Sequence, residues 1–250
     1  PGAVRELALG PSKGKQTGET ALFRTPWDRF ATGDLILGDR YCASSFGTAP
    51  LLGRGVDGRF RMHQRRKYDF RRGRRLGVED QVVRGTKPKR PEWRDEAWYA
   101  QLPAERLVRE LRVKVQRDGF RGDELVRVTT LLDPQGSTKE ELADLDLERW
   151  NLERDLRSIK TVMPMDVLRC ETPAMVAKEI GMHLLAYDLI RGSMTRAAAA
   201  HGKGPRCLSF KGALQALGAY RESLQWTRGG RRRLLWEALL QVLASYEVGD

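Results

Sequence analysis

The sequence predicts an α/β protein with a strand-rich basic middle and a helical second half, and three patterns carry that reading. Short apolar runs separated by a helical segment open the chain, two alternating stretches lie in its middle, and from Ser137 onward apolar residues recur at helical spacing. With 250 residues, 40% of them hydrophobic and 31% charged, the chain can bury a sizeable core, which excludes wholesale disorder. Its longest apolar stretches, such as LLWEALLQVLA, are broken by charge well short of the roughly 18 residues a bilayer crossing needs, so no membrane partner is expected.

Taken in order, AVRELAL from Ala3 to Leu9 alternates in part and stops at Gly10-Pro11, which predicts a strand. Residues 18–31, GETALFRTPWDRFA, predict a helix interrupted at Pro26. Gly33 then turns the chain into DLILGD, a short apolar strand ending in the carboxylate of Asp39. Between Val56 and Pro91 the composition shifts sharply toward positive charge, with Arg65, Arg66 and Lys67 in a row and Asp69 the one acid within Arg59 to Arg75. RELRVKVQ (109–116) and ELVRVTTLL (124–132), joined through DGFRGD, predict a β-hairpin.

Helical spacing begins at STKEE, where Ser137 or Thr138 can cap and Glu140 or Glu141 sits in the first turn, and Pro164 ends that helix. Thr172-Pro173 opens a second helix running through Val176, Ile180, Leu184, Tyr187 and Met194, and a third spans about Arg232 to Ala244. Three regions follow: 1–55, a basic strand-rich insertion at 56–133, and a helical part at 134–250.

Lys and Arg number 45 against 33 Asp and Glu, a formal net charge of +12, so nucleic acid is the leading partner. Three widely spaced cysteines argue against a disulfide framework and fit a reducing compartment. With three histidines and no CxxC, a zinc site is not expected, and a catalytic metal would depend on carboxylates.

LERWNLERDLRSIK carries the candidate chemistry. At about 100° per residue, with Glu153 at zero, Lys160 falls near −20°, Arg149 near −40° and Asp146 near +20°, one polar stripe about 21 Å long. Leu145, Leu152, Leu156, Ile159 and Met163 cluster near −90° on the same wheel, a face expected to be buried, with Glu153 at its rim. The same spacing also suits an ordinary salt-bridged exposed face, and the basic run at 59–75 suits an ordinary solvated surface.

ERWNLERDLRSIK, read with LGDRY at 37–41, KTVMPMDVLRCETPAMVAKEI and HLLAYDLIR, resembles the DDE transposases of bacterial insertion sequences. More narrowly, it is similar to the cut-and-paste group whose final acid lies in a Tyr-x2-Arg-x3-Glu-x6-Lys signature. The resemblance runs from about Gly2 to the last residue. It implies an RNase H-like core, a second catalytic acid ending a central strand at Asp39, a final acid on a later helix at Glu153, and a β-rich insertion between them.

That chemistry uses two divalent ions about 3.5 to 4 Å apart, Mg2+ with Mn2+ able to substitute, held by carboxylates. The resemblance makes Asp39 and Glu153 two of those ligands and gives Arg149 and Lys160 the phosphates of the transposon end. Arg65, Arg66 and Lys67 are further DNA-binding candidates. Water frees a 3′-hydroxyl, which then attacks target DNA. Double-stranded DNA is the implied partner, a homodimer the implied assembly, and the cytoplasm, at the nucleoid, the implied location.

The sequence departs from the pattern in two ways. The family's first acid lies on an opening strand upstream of Ala3 to Leu9, where this chain supplies nothing, and Glu6 stands on the wrong strand to replace it. Asp146 occupies the signature Tyr position, where its charge is expected to repel a phosphate. The expectation is therefore a fragment or decayed copy that binds DNA without cutting it, which makes a non-catalytic DNA-binding remnant the alternative to an active transposase. An RNA-associated basic protein is a third reading, without an aromatic-rich motif or Gly-x-x-Gly clamp to support it.

Overall fold

The computed structural model describes residues 2–11, 13–14, 17–62, 67–117 and 120–248, and no described helix is long and apolar enough to cross a membrane. The mixed α/β class holds. Residues 6–150 form one compact unit, and residues 1–5 with 151–250 form another.

In the first unit, the helical segment expected to break at Pro26 is divided into α1 (Glu19–Phe23) and a 3-10 turn (Thr25–Arg29), with Pro26 in the first positions of the turn. Strand β1 (Leu35–Gly38) is followed by a second 3-10 turn (Arg40–Ala43) and α2 (Ser45–Leu52). Beyond them come β2 (Asp57–Arg61), β3 (Arg74–Gly77), β4 (Asp80–Thr86), α3 (Glu96–Gln101) and the hairpin strands β5 (Glu105–Arg117) and β6 (Phe120–Thr129). The six strands form one sheet in the order β1-β2-β6-β5-β4-β3.

Among the described residues only β1 and β2 run parallel, with Leu35 opposite Asp57 and Gly38 opposite Phe60. Parallel neighbours need a crossover, and the 3-10 turn with α2 supplies it. Gly47 and Pro50 are poor helix formers, so α2 rests on its cap, where Ser44 Oγ accepts the Gly47 amide at 3.0 Å, and on the burial of Ala49 and Leu51. A Cβ at Gly38 or Gly58 would overlap the buried ring of Phe60, so both glycines make room for it. Trp27, Leu51 and Val56 form the core beside β1, and Met62, Val108 and Val128 form another within the sheet.

Helix α4 (Lys139–Arg157) continues into a widened turn, Ser158–Val162, in which the Met163 amide donates to the Ser158 carbonyl at 3.0 Å. The division between the units falls inside α4. In the first unit its Leu142 packs with Leu111 and Val113.

The second unit gathers α5 (Pro173–Ala200), α6 (Phe210–Trp226) and α7 (Gly229–Ser245) around Tyr187, Met194, Ala197, Phe210, Ala213 and Leu239. The Thr172 cap and Pro173 at the first position start α5 as its sequence predicts. The buried side of α6 is Phe210, Gly212, Ala213 and Ala216, with Leu214, Leu217, Tyr220 and Leu224 packed beside them at helical spacing. The strand expected at Ala3 to Leu9 does not form. Instead the Val4 amide donates to Asp188 Oδ1 at 2.8 Å, and Val4 packs against the helical core.

The face of α4 expected to be buried is only partly so. Ile159 and Met163 are buried, whereas Leu152 and Leu156 are 52% and 43% exposed. Asp146 and Asp155 are buried in their place, at 3% and 6%. The apolar wheel assumes that carboxylates seek water, and that assumption fails where arginines are themselves buried against the helix.

Candidate functional site

Asp39 directly follows the carboxyl end of β1, where the sheet hands the chain to the crossover. Its side chain is exposed, and its Oδ1 accepts the Arg40 amide at 2.7 Å, starting the 3-10 turn. That turn brings Cys42 back toward it. Burial pushes the Cys42 thiol up to about 11, and the charge of Asp39 adds to the shift. A thiol so raised stays protonated at neutral pH.

Glu153 lies on α4 in the other unit and is exposed, not partly desolvated at the rim of a core. Lys160 is exposed in the widened turn, whose wider spacing takes it off the 100° count from Glu153. Arg149 lies on α4, and its side chain is outside the described residues, as are Arg65 and Arg66 altogether. Lys67 is exposed.

Asp146 does not belong to an exposed stripe. Its Oδ1 and Oδ2 accept from Arg59 Nη1 and Nη2 at 2.8 and 2.6 Å, and Oδ1 also accepts from Arg127 Nε at 2.8 Å. All three side chains are 3 to 4% exposed. The expected repulsion of a DNA phosphate therefore does not arise from this carboxylate, which is spent on β2 and β6. Arg59, counted in the basic run from sequence, points inward for the same reason. Elsewhere in that run, Asp69 pairs with Arg71 and Arg72 at 3.0 and 3.5 Å, and its carboxyl is held below the usual range chiefly by the Arg71 hydrogen bond.

Two further buried pairs escaped the sequence reading. Arg109 donates through Nε and Nη2 to Asp80 at 2.8 and 2.5 Å and through Nη1 to the Ser137 carbonyl at 2.6 Å, tying β5 to β4 and to the start of α4. In the helical unit Asp155 accepts from Arg206 Nη1 at 2.7 and 2.8 Å and from Arg191, whose Nε donates to Tyr187 Oη at 3.0 Å. Alternation placed the strand arginines on a polar face, and no local signal marks which polar face is covered.

Carboxylate oxygens are the right donors for Mg2+, and Asp39 has one oxygen engaged by its own turn and its second without a hydrogen bond to any described residue. The donor type fits; among the described residues no group of three or more His, Cys, Asp or Glu is placed to hold a metal ion.

A family model described as a transposase DDE domain matches residues 15–189, which is 175 of the 250 residues and takes in Asp39, Glu153 and Lys160. No curated protein matches the chain.

Proposed function

The chain belongs to the transposase DDE domain family, and from that premise we propose that it is the transposase of an insertion sequence of the cut-and-paste group, with Asp39 and Glu153 as two of its catalytic acids. The observation that carries the proposal is the position of Asp39, an exposed carboxylate just past the carboxyl end of a parallel strand, where open α/β sheets bind their ligands. The parallel β1-β2 pair with its crossover also suits an RNase H-like core, assigned to residues 1–55 and 134–250 with 56–133 as the insertion, although β2 (Asp57–Arg61) itself falls inside that insertion.

Asp39 and Glu153 would hold Mg2+, or Mn2+ in its place, and the bound ions supply Lewis-acid stabilisation of charge on the phosphoryl oxygens. Arg149 and Lys160 bind phosphates of the transposon end, Arg through a two-pronged fork and Lys as a mobile point charge. Lys67, with Arg65 and Arg66, adds sequence-independent attraction for double-stranded DNA. Water then releases a 3′-hydroxyl, which attacks the target strand, and a homodimer brings two ends together at the nucleoid.

A non-catalytic DNA-binding remnant is the second reading. It is favoured by Asp146, which stands where the group's signature has a Tyr and turns its carboxylate to Arg59 and Arg127 instead of to a substrate. Strand cleavage separates the two. The protein is given a duplex carrying the inverted repeats that flank its reading frame, with Mg2+ or Mn2+. An active transposase yields nicked 3′ ends, reduced about 100-fold or more in Asp39→Asn and in Glu153→Gln. Equal cleavage by both variants overturns the assignment, and tight binding without cleavage favours the remnant.

A further inference from the structure

The helical unit carries a second basic surface, in residues beyond the part that the family model matches. Arg196 of α5, Leu224 of α6, and Gly229, Arg232, Arg233 and Trp236 of α7 line an open groove of about 470 Å3. Arg196 and Arg232 are exposed and make no hydrogen bond or ion pair with any described residue. Arg233 meets Glu237 at 3.0 Å but remains 83% exposed. Arg228 and Arg231 extend the charge along the rim.

The arrangement works against the fold that carries it. Arg231 and Arg232 stand in the first turn of a 17-residue helix with no acid there to offset them, and Arg233 follows directly, so the helix dipole opposes the first two cations most. Local conflicts of this kind are expected where a surface serves a ligand rather than stability. An anion relieves it. Guanidinium forks from two helices suit phosphate oxygens, and the apolar Leu224 and Trp236 between them suit the carbon edge of a sugar.

We propose that this groove binds the phosphate backbone of duplex DNA, as a contact separate from Arg149 and Lys160. DNA is the polyanion a DDE transposase handles, and the groove's charge complements it along two helices instead of at one point. The contact is independent of metal and of base sequence.

The test measures binding of the full chain to a fluorescent duplex of arbitrary sequence in EDTA, between about 50 and about 200 mM salt. Three lost phosphate contacts make the log-log salt slope of R196A/R232A/R233A shallower by about 2.7, so over that range the unaltered chain loses about 40-fold more affinity than the variant. R196K/R232K/R233K keeps the steep slope, because Lys also neutralises a phosphate. R196A/R232A, which alters only side chains without a described partner, flattens the slope by about 1.8 and covers the case in which the triple variant melts early. An unchanged slope in variants whose thermal unfolding is normal overturns the proposal. So does an unchanged duplex slope with weakened binding of polyglutamate, which assigns the groove to an acidic protein segment. EDTA keeps the result separate from the success or failure of the cleavage assay.

Discussion

Arg59 and Asp146, 87 residues apart in sequence, meet fork to fork in the interior of the sheet unit, at 2.8 and 2.6 Å. Arg127 joins them from the neighbouring strand, so one carboxylate on α4 holds two guanidiniums on β2 and β6. Breaking a buried pair from one side strands its partner's charge, at a cost of about 3 to 5 kcal/mol. Asp146→Ala is therefore expected to lose about that much in denaturant unfolding, whereas the apolar triple R59M/R127M/D146L stays near the original stability. A loss below about 1 kcal/mol in Asp146→Ala would show that the pair is solvated.

Orientation of α4 is open to a second check. Leu152 and Leu156, 52% and 43% exposed, should accept Gln with changes of about 0.5 kcal/mol or less, while Leu142→Ala, at 1% exposure, should cost about 2 to 5 kcal/mol. The reverse ranking would restore the leucine face that the helical wheel suggests.

Cys42 reports on Asp39. With its thiol pushed up to about 11, first by burial and second by the Asp39 charge, it is protonated at pH 8 and should alkylate about 100-fold more slowly than an ordinary thiol. Asp39→Asn removes the second cause alone, so the thiol pKa falls and alkylation speeds up without reaching the ordinary rate. Peptide mass spectrometry separates this site from Cys170 and Cys207. An unaltered rate in Asp39→Asn would mean that the two groups do not face each other.

Tyr187 gives the helical unit a high-pH limit. Burial raises its hydroxyl to about 12, with the Arg191 hydrogen bond opposing the shift, against about 10 in an unfolded chain. The folded value lies above the unfolded one, so the contribution is complete below about pH 10 and disappears as pH climbs to about 12, a difference on the order of 2 to 3 kcal/mol. Unfolding free energy should fall over that window in the natural sequence and fall less in Tyr187→Phe. Identical pH profiles would contradict the assignment.

What was legible in the sequence was whatever depends on a local pattern. The strand ending at Asp39, the hairpin of β5 and β6, the Pro26 break, and the Thr172-Pro173 start of α5 each follow from a few adjacent residues. Helix α2 is hidden by Gly47 and Pro50, whereas α6 does carry apolar residues at helical spacing, from Phe210 through Leu214 and Leu217 to Leu224, a pattern that escaped the sequence reading. The segment from Ala3 to Leu9 has strand-like alternation, yet its Val4 amide is satisfied by Asp188, a partner 184 residues away. Asp146 was misread for the same reason. Its role is set by arginines on distant strands, and spacing along α4 carries no trace of them. Asp39 and Glu153, as candidate acids, rested on resemblance, since neither position differs locally from an ordinary solvated carboxylate.

The charged groups buried among the described residues are Arg59, Arg109, Arg127 and Arg191 with Asp80, Glu110, Asp146 and Asp155, and their charges cancel. The formal excess of +12 is consequently carried by residues outside those buried groups. Self-repulsion among those cations resists the compact state and is screened by salt, while the interior pairs are screened far less. Added electrolyte should thus harden the free protein against heat while weakening the DNA contacts proposed for it, so a buffer chosen to favour the one works against the other.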